Sequence, residues 1–160
     1  MTIQVGDNVP FVTLHVMGED GPDAITTDDL FKGKKVAFFA LPGAFTPTCS
    51  AQHLPGFVDN ADALKSKGID SIVCLSVNDA FVMSAWGKDQ NVGGKVTLVA
   101  DGSADFTKAA GLEFDLSSKG LGVRCQRFSM VADNGVITTL NIDESGALKT
   151  SSAENMLTQL

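Results

Sequence analysis

Val36-Ala-Phe-Phe-Ala-Leu41-Pro42-Gly-Ala-Phe-Thr46-Pro47-Thr48-Cys49 runs from six consecutive apolar residues through a turn into a helix start. An unbroken apolar run of this length marks a strand buried on both faces, the kind found in parallel sheets. Thr46 suits a helix N-cap, Pro47 suits the first helical position, and Cys49 then falls at the third. A thiol in a first helical turn faces unpaired backbone N–H groups and the positive end of the helix dipole. Both favour thiolate over thiol, so Cys49 is the candidate nucleophile. The competing reading is a buried cysteine that fills space behind a strand.

Working outward, Ile69–Val77 and Val96–Ala100 repeat the buried-strand pattern. Between the first two strands the spacing of Leu54, Phe57, Val58, Ala61 and Leu64 predicts a helix over 47–67, stopped by Gly68. Pro55 predicts a kink inside it rather than two separate helices. A second helix is expected over 80–90, capped by Asn78 or Ser76, with Asp79 beside them as a capping rather than acid–base residue. Strand, helix, strand, helix, strand implies parallel pairing with right-handed crossovers. The last third changes character. Val123–Ala132 alternates, Asp133-Asn134-Gly135 is a strong hairpin signal, Val136–Ile142 returns, and a helix closes the chain over 153–160. Phe11–Met17 is expected as an outer strand or hairpin with its loop at Gly18–Gly21. A parallel βαβ half followed by an antiparallel ββα half is the thioredoxin arrangement, an α/β fold with a central mixed β-sheet flanked by helices. Cys49 then lies at the C-terminal end of a central strand, where open α/β sheets gather ligands.

The chain of 160 residues fits one domain, 1–160, large enough to bury a core. Its net charge of −7 argues against nucleic acid or an anionic membrane as partner. The same charge disfavours a strongly anionic substrate, so a small neutral one fits best. No apolar run reaches membrane-spanning length, and the N-terminal residues show neither secretory nor transit character, which points to a cytoplasmic protein. Three cysteines (Cys49, Cys74, Cys125) do not make a disulfide framework. With only His15 and His53 and no Cys-x-x-Cys, no metal site is expected, and no cofactor is called for.

Pro42-x-x-x-Thr46-x-x-Cys49 resembles the peroxiredoxin active-site motif, and the wider stretch to Phe57 is similar to the peroxiredoxin-five, or type II, subfamily. The likeness continues through Cys74–Val82, Trp86-Gly87, Gly94–Val96 and Arg127–Val131, covering nearly the whole chain. The resemblance implies a thiol peroxidase for hydrogen peroxide and organic hydroperoxides, with Cys49 passing through a sulfenic acid. It makes Thr46 a substrate hydrogen-bonding residue, although that hydroxyl could equally cap the helix. It makes Pro42 a shield over the sulfur, although a plain strand terminator reads the same locally. It selects Arg127 over Arg124 as the guanidinium at the site; Arg124 becomes a supporting or surface residue on the opposite face of the strand. In similar proteins the positions of Phe45 and Trp86 help form a homodimer contact at the site mouth, although both residue types belong more often to cores. His53, four residues after Cys49, reads as a neutral, hydrogen-bonded surface imidazole.

One departure from the family pattern bears on turnover. Members with an internal resolving cysteine carry it near the stretch matching Leu148–Ser152, where this chain has Thr150, Ser151 and Ser152. Cys74 lies in an apolar strand and reads as a buried structural thiol; Cys125, on the same strand face as Arg127 by alternation, is a second candidate thiol. One-cysteine turnover follows, with glutathione and glutaredoxin, or else thioredoxin, reducing Cys49. Two other readings use the same thiol: a thiol–disulfide oxidoreductase, for which the second cysteine is missing, and a peroxide sensor that passes oxidation to a partner protein.

Overall fold

The computed structural model describes residues 1–144 and 146–160. Its strands are β1 (Thr13–Gly18), β2 (Gly21–Thr26), β3 (Lys35–Ala40), β4 (Ser71–Ser76), β5 (Thr97–Ala100), β6 (Glu113–Asp115), β7 (Val123–Cys125), β8 (Phe128–Asp133) and β9 (Val136–Ile142). Its helices are α1 (Thr27–Phe31), α2 (Leu54–Asp59), α3 (Ala61–Ser66), α4 (Ala80–Asp89), α5 (Asp105–Ala109) and α6 (Ala153–Gln159). A seven-stranded sheet runs β2-β1-β5-β4-β3-β8-β9, and β6 pairs with β7 apart from it. The three central strands are parallel, β3 to β4 and β4 to β5, while β8, β9, β1 and β2 join antiparallel. The predicted parallel half and antiparallel half are both present, on one thioredoxin-like mixed sheet.

The apolar run of β3 is buried because both faces of the sheet are covered. Ala37, Phe39 and Leu41 pack with Cys49, Leu54, Phe57, Leu64, Trp86 and Met156 on one face. Val36, Phe38 and Ala40 pack with Leu30, Phe31, Phe106 and Phe128 on the other. The hairpin between β8 and β9 turns at Asn134 (φ 50°) and Gly135 (φ 81°), two left-handed residues that match the twist of the flanking strands. The β1–β2 hairpin forms where expected, closing at Gly18 and Gly21.

Three local expectations are corrected. The helix expected over 47–67 is not one kinked rod. It starts at Pro47 as expected but passes at once into a π-helical turn, Cys49–His53, in which Leu54 N–H donates to the Cys49 carbonyl, and it breaks between α2 and α3 at Asn60. Pro55 lies in the first turn of α2, directly after that π-helical turn. Helix α4 is capped not by Asn78 or Ser76 but by Asp79, the capping role expected of that residue, its carboxylate accepting from Val82 N–H at 2.8 Å. Val123–Ala132 is not one strand: Gln126 and Arg127 separate β7, in the two-stranded ribbon, from β8 in the main sheet.

Candidate active site

Cys49 follows β3 through a loop that is fixed from several sides. The Leu41 N–H donates to the Leu75 carbonyl at 3.3 Å, extending the parallel pairing one step past β3. Asn78, just beyond β4, accepts from Ala44 N–H at 3.0 Å and from the Ser76 hydroxyl at 2.6 Å, tying the loop to the neighbouring strand end. A Cβ at Gly43 would lie 2.8 Å from Arg124 Nη1, so glycine leaves room for that guanidinium in its present position. Phe45 adopts a left-handed φ of 62° and turns the chain into the helix.

Thr46 is the N-cap by position, with helical residues starting at Pro47 as expected, but its side chain does not cap the helix. Its hydroxyl donates to the Gly43 carbonyl at 2.6 Å and closes the turn, while its own carbonyl accepts from Ser50 N–H at 2.9 Å. Thr48 occupies the cap position of the π-helical turn without a side-chain capping bond. The thiol therefore sits at the opening of a π turn, an irregularity found often at functional sites.

Cys49 is 1% exposed, and Arg127 Nη2 donates to its sulfur at 3.2 Å. The guanidinium is itself 5% exposed; Nη1 donates to His53 Nδ1 at 2.9 Å, and Nε has no partner among the described residues. Arginine has donors only, so His53 Nδ1 must accept, and Nε2 must carry the proton that it donates to the Ser151 carbonyl at 3.0 Å. His53 is corrected as a surface residue: it is 1% exposed, packed against the stacked pair of Phe39 (ring centroids 4.9 Å apart) and Phe57 (5.7 Å). Burial, reinforced by the adjacent guanidinium, pushes its pKa down to about 3, so the imidazole is neutral. The signal for this was its position: His53 directly precedes Leu54 and lies four residues before Phe57, inside the buried stripe.

The other sequence candidates divide. Pro42 and Arg127 line a cavity of about 180 Å³ with Phe114, Gln126, Asp143, Glu144 and Gly146. Arg124 does not reach the sulfur; it donates from Nη1 to the Pro42 carbonyl at 3.2 Å and from Nε to the Leu121 carbonyl at 2.8 Å, bracing the loop. Trp86 is corrected as an interface residue. Its ring is fully buried, with the indole N–H donating to the Ser50 hydroxyl at 3.0 Å, whereas Phe45 beside it (centroids 6.5 Å apart) is 53% exposed. Cys74 is buried in β4 on the Cys49 side of the sheet, and burial raises its pKa. Cys125 does not share a face with Arg127: it packs into the opposite core, and burial pushes its thiol up to about 12. Sequence reading missed Asn78 as a loop anchor and Asp143 and Ser151 as neighbours of the site. A roomier groove of about 610 Å³ lies elsewhere, among Met17, Met83, Val92 and Leu98, and contains none of these residues.

A thiol and a buried guanidinium at the end of a central strand define a thiol-based redox site on a thioredoxin-like sheet. The Redoxin family model matches residues 4–157. Peroxiredoxin-2E, chloroplastic, of Arabidopsis thaliana is 51% identical over 99% of this chain and 70% of its own length; peroxiredoxin-2D of the same plant is 49% identical over 99% and 98%. The crystal structure of reduced Prx3 from Vibrio vulnificus in complex with hydrogen peroxide superposes with a TM-score of 0.94, at 49% identity, covering 99% of each chain. The chain belongs to the Redoxin family and is a peroxiredoxin, a thiol peroxidase with an antioxidant role.

Proposed function

We propose that Cys49 is the peroxidatic nucleophile and that it reduces hydrogen peroxide and alkyl hydroperoxides in one-cysteine turnover. The observation that carries this is the 3.2 Å contact between Arg127 Nη2 and Cys49 Sγ. Arg127 is a buried cation whose other hydrogen-bond partner, His53, is neutral. A buried charge needs compensation, and a thiolate at Cys49 is the group placed to supply it.

The thiolate attacks the terminal oxygen of the hydroperoxide. An S–O bond forms, the O–O bond breaks, and the departing alkoxide or hydroxide takes the bond's electron pair and then a proton from water. Cys49 is left as a sulfenic acid. Arg127 serves as the donor aimed at the charge that develops on oxygen, Thr46 as a hydrogen-bonding partner of the peroxide, and Pro42 as the cover that keeps water off the sulfur. A thiol then condenses with the sulfenic acid, releasing water and leaving a mixed disulfide. A second thiol exchanges with that disulfide and frees Cys49.

External reductant is favoured because Cys74 and Cys125 are both buried and Cys125 faces the opposite core. Glutathione with glutaredoxin is preferred, thioredoxin being the other source of thiol. Three free cysteines suit a reducing, cytoplasmic setting. The motif around Cys49 supports assignment to the peroxiredoxin-five, or type II, branch. The exposed Phe45 beside the site supports a homodimer through that face.

Steady-state peroxide consumption tests the reading, with Cys49→Ser, Cys74→Ser and Cys125→Ser each assayed with glutathione plus glutaredoxin and with thioredoxin. Activity is expected to vanish in Cys49→Ser alone. Loss of turnover but not of the first oxidation in either other variant would show an internal resolving thiol. A single stoichiometric oxidation with every reductant would show a sensor instead of a catalyst.

A further inference from the structure

The Ser151 carbonyl, which accepts from His53, precedes α6 in a loop organised around one carboxylate. Asp143 follows β9, and its backbone N–H donates to the Arg127 carbonyl at 2.9 Å. Its side chain accepts from Lys149 N–H (2.9 Å), Thr150 N–H (2.9 Å), the Thr150 hydroxyl (2.8 Å), Ser151 N–H (3.0 Å) and the Ser151 hydroxyl (2.6 Å). Burial alone would raise the pKa of this carboxyl; the Ser151 hydroxyl and the loop amides outweigh it and hold it well below the usual carboxylate range.

We propose that Asp143 is a positioning residue for the Cys49 reaction, acting through Ser151, His53 and Arg127. This rests on the reading of Cys49 as the nucleophile. The physical link is the histidine tautomer. With the Ser151 carbonyl in place, the ring proton belongs on Nε2 and Nδ1 is free to accept from Arg127. Without that carbonyl, Nε2–H is a buried donor lacking its partner. The alternative tautomer would then point Nδ1–H at a guanidinium that can only donate. Either outcome releases Arg127 from the orientation that aims Nη2 at the sulfur. The carboxylate is thus joined to the thiol by an unbroken series of hydrogen bonds, although it does not touch it.

A loop carboxylate could serve stability alone, and Asp101 offers the control. It is 2% exposed and accepts from Phe106 N–H, Thr107 N–H and the Thr107 hydroxyl, in α5 on the other face of the sheet. Asp143→Asn, Ser151→Ala and Asp101→Asn are made in the full chain and compared by denaturant midpoint. Single-turnover oxidation by hydrogen peroxide is followed through Trp86, whose indole bonds Ser50 next to Cys49. Alkylation of Cys49 by iodoacetamide, which needs no aligned donor, is read by mass spectrometry. Asp143→Asn is expected to slow peroxide oxidation about 10-fold and alkylation less than about 2-fold, since small misplacements of an aligned group are costly to rate. Asp101→Asn is expected to lower stability and leave the peroxide rate alone. In a His53→Leu background, Asp143→Asn is expected to cost nothing further, because the link is already cut.

An unchanged peroxide rate in Asp143→Asn, equal loss toward both reagents, or full loss persisting without His53 would each overturn the proposal. Should Asp143→Asn not fold, Ser151→Ala carries the same test with the same signs. A wild-type Cys49 that peroxide does not oxidise would refute the nucleophile reading itself, separately from Asp143.

Discussion

At the scale of single residues, His53 changes most between sequence and structure. A histidine four positions after a helical cysteine reads as a solvent-facing neighbour, yet its ring packs against the stacked Phe39 and Phe57. The apolar stripe on either side of it was the available clue. The burial has a consequence for acid stability. His53 has an ordinary value of 6.5 and is pushed to about 3 in the folded chain. The unfolded chain therefore binds more protons between those values, and folding free energy is full above pH 6.5 and declines as pH falls toward 3. Asp143, held low in the fold, adds a loss of the same sign at still lower pH, as its carboxylate is protonated. Denaturant midpoints measured from pH 7 to pH 4 are expected to fall in the wild type and to fall less steeply in His53→Asn. Parallel curves would show that the imidazole binds its proton equally well in the folded and unfolded chain. Arg127, in contrast, was legible, though from its motif resemblance and not from alternation, because the strand that alternation implied is broken beside it.

At the scale of elements, the buried strands and the Asn134-Gly135 hairpin were readable because each is decided locally, by apolar runs and by left-handed turn residues. The π-helical turn was not readable. Its Leu54-to-Cys49 hydrogen bond depends on how the chain leaves a loop already pinned by Asn78 and Arg124, residues distant in sequence. The short helices α1 and α5 escaped for a related reason: five residues are too few to show a periodicity. The loop also sorts the two aromatic residues at its edge. The left-handed turn at Phe45 leaves that ring exposed, while Trp86 is committed to the core beneath. If a homodimer forms through this face, Phe45→Asp places a charge in the contact and leaves Trp86 and its bond to Ser50 in place. Sedimentation velocity is expected to give a dimer for the wild type and a monomer for the variant; a wild-type monomer would contradict the proposed contact.

At the scale of the whole molecule, the site exists because the sheet brings two halves of the chain together. Cys49 follows β3, Arg127 precedes β8, and β3 pairs with β8 in antiparallel register, with Ala40 opposite Phe128. That pairing closes a separation of 78 residues and places Nη2 at 3.2 Å from the sulfur. The sequence implied both halves but not their third partner, the stretch Lys149–Ser151, which is held by hydrogen bonds to the Asp143 carboxylate and not by apolar patterning. In the proposed reaction this junction is what makes Cys49 a peroxide-reactive nucleophile. The most direct test is the single-turnover rate constant for hydrogen peroxide with wild type and Arg127→Met. A fall of about 100-fold or more is expected from removing a donor aimed at the developing charge, with folding retained by circular dichroism. Equal rate constants in the two proteins would show that Arg127 does not activate the sulfur toward peroxide.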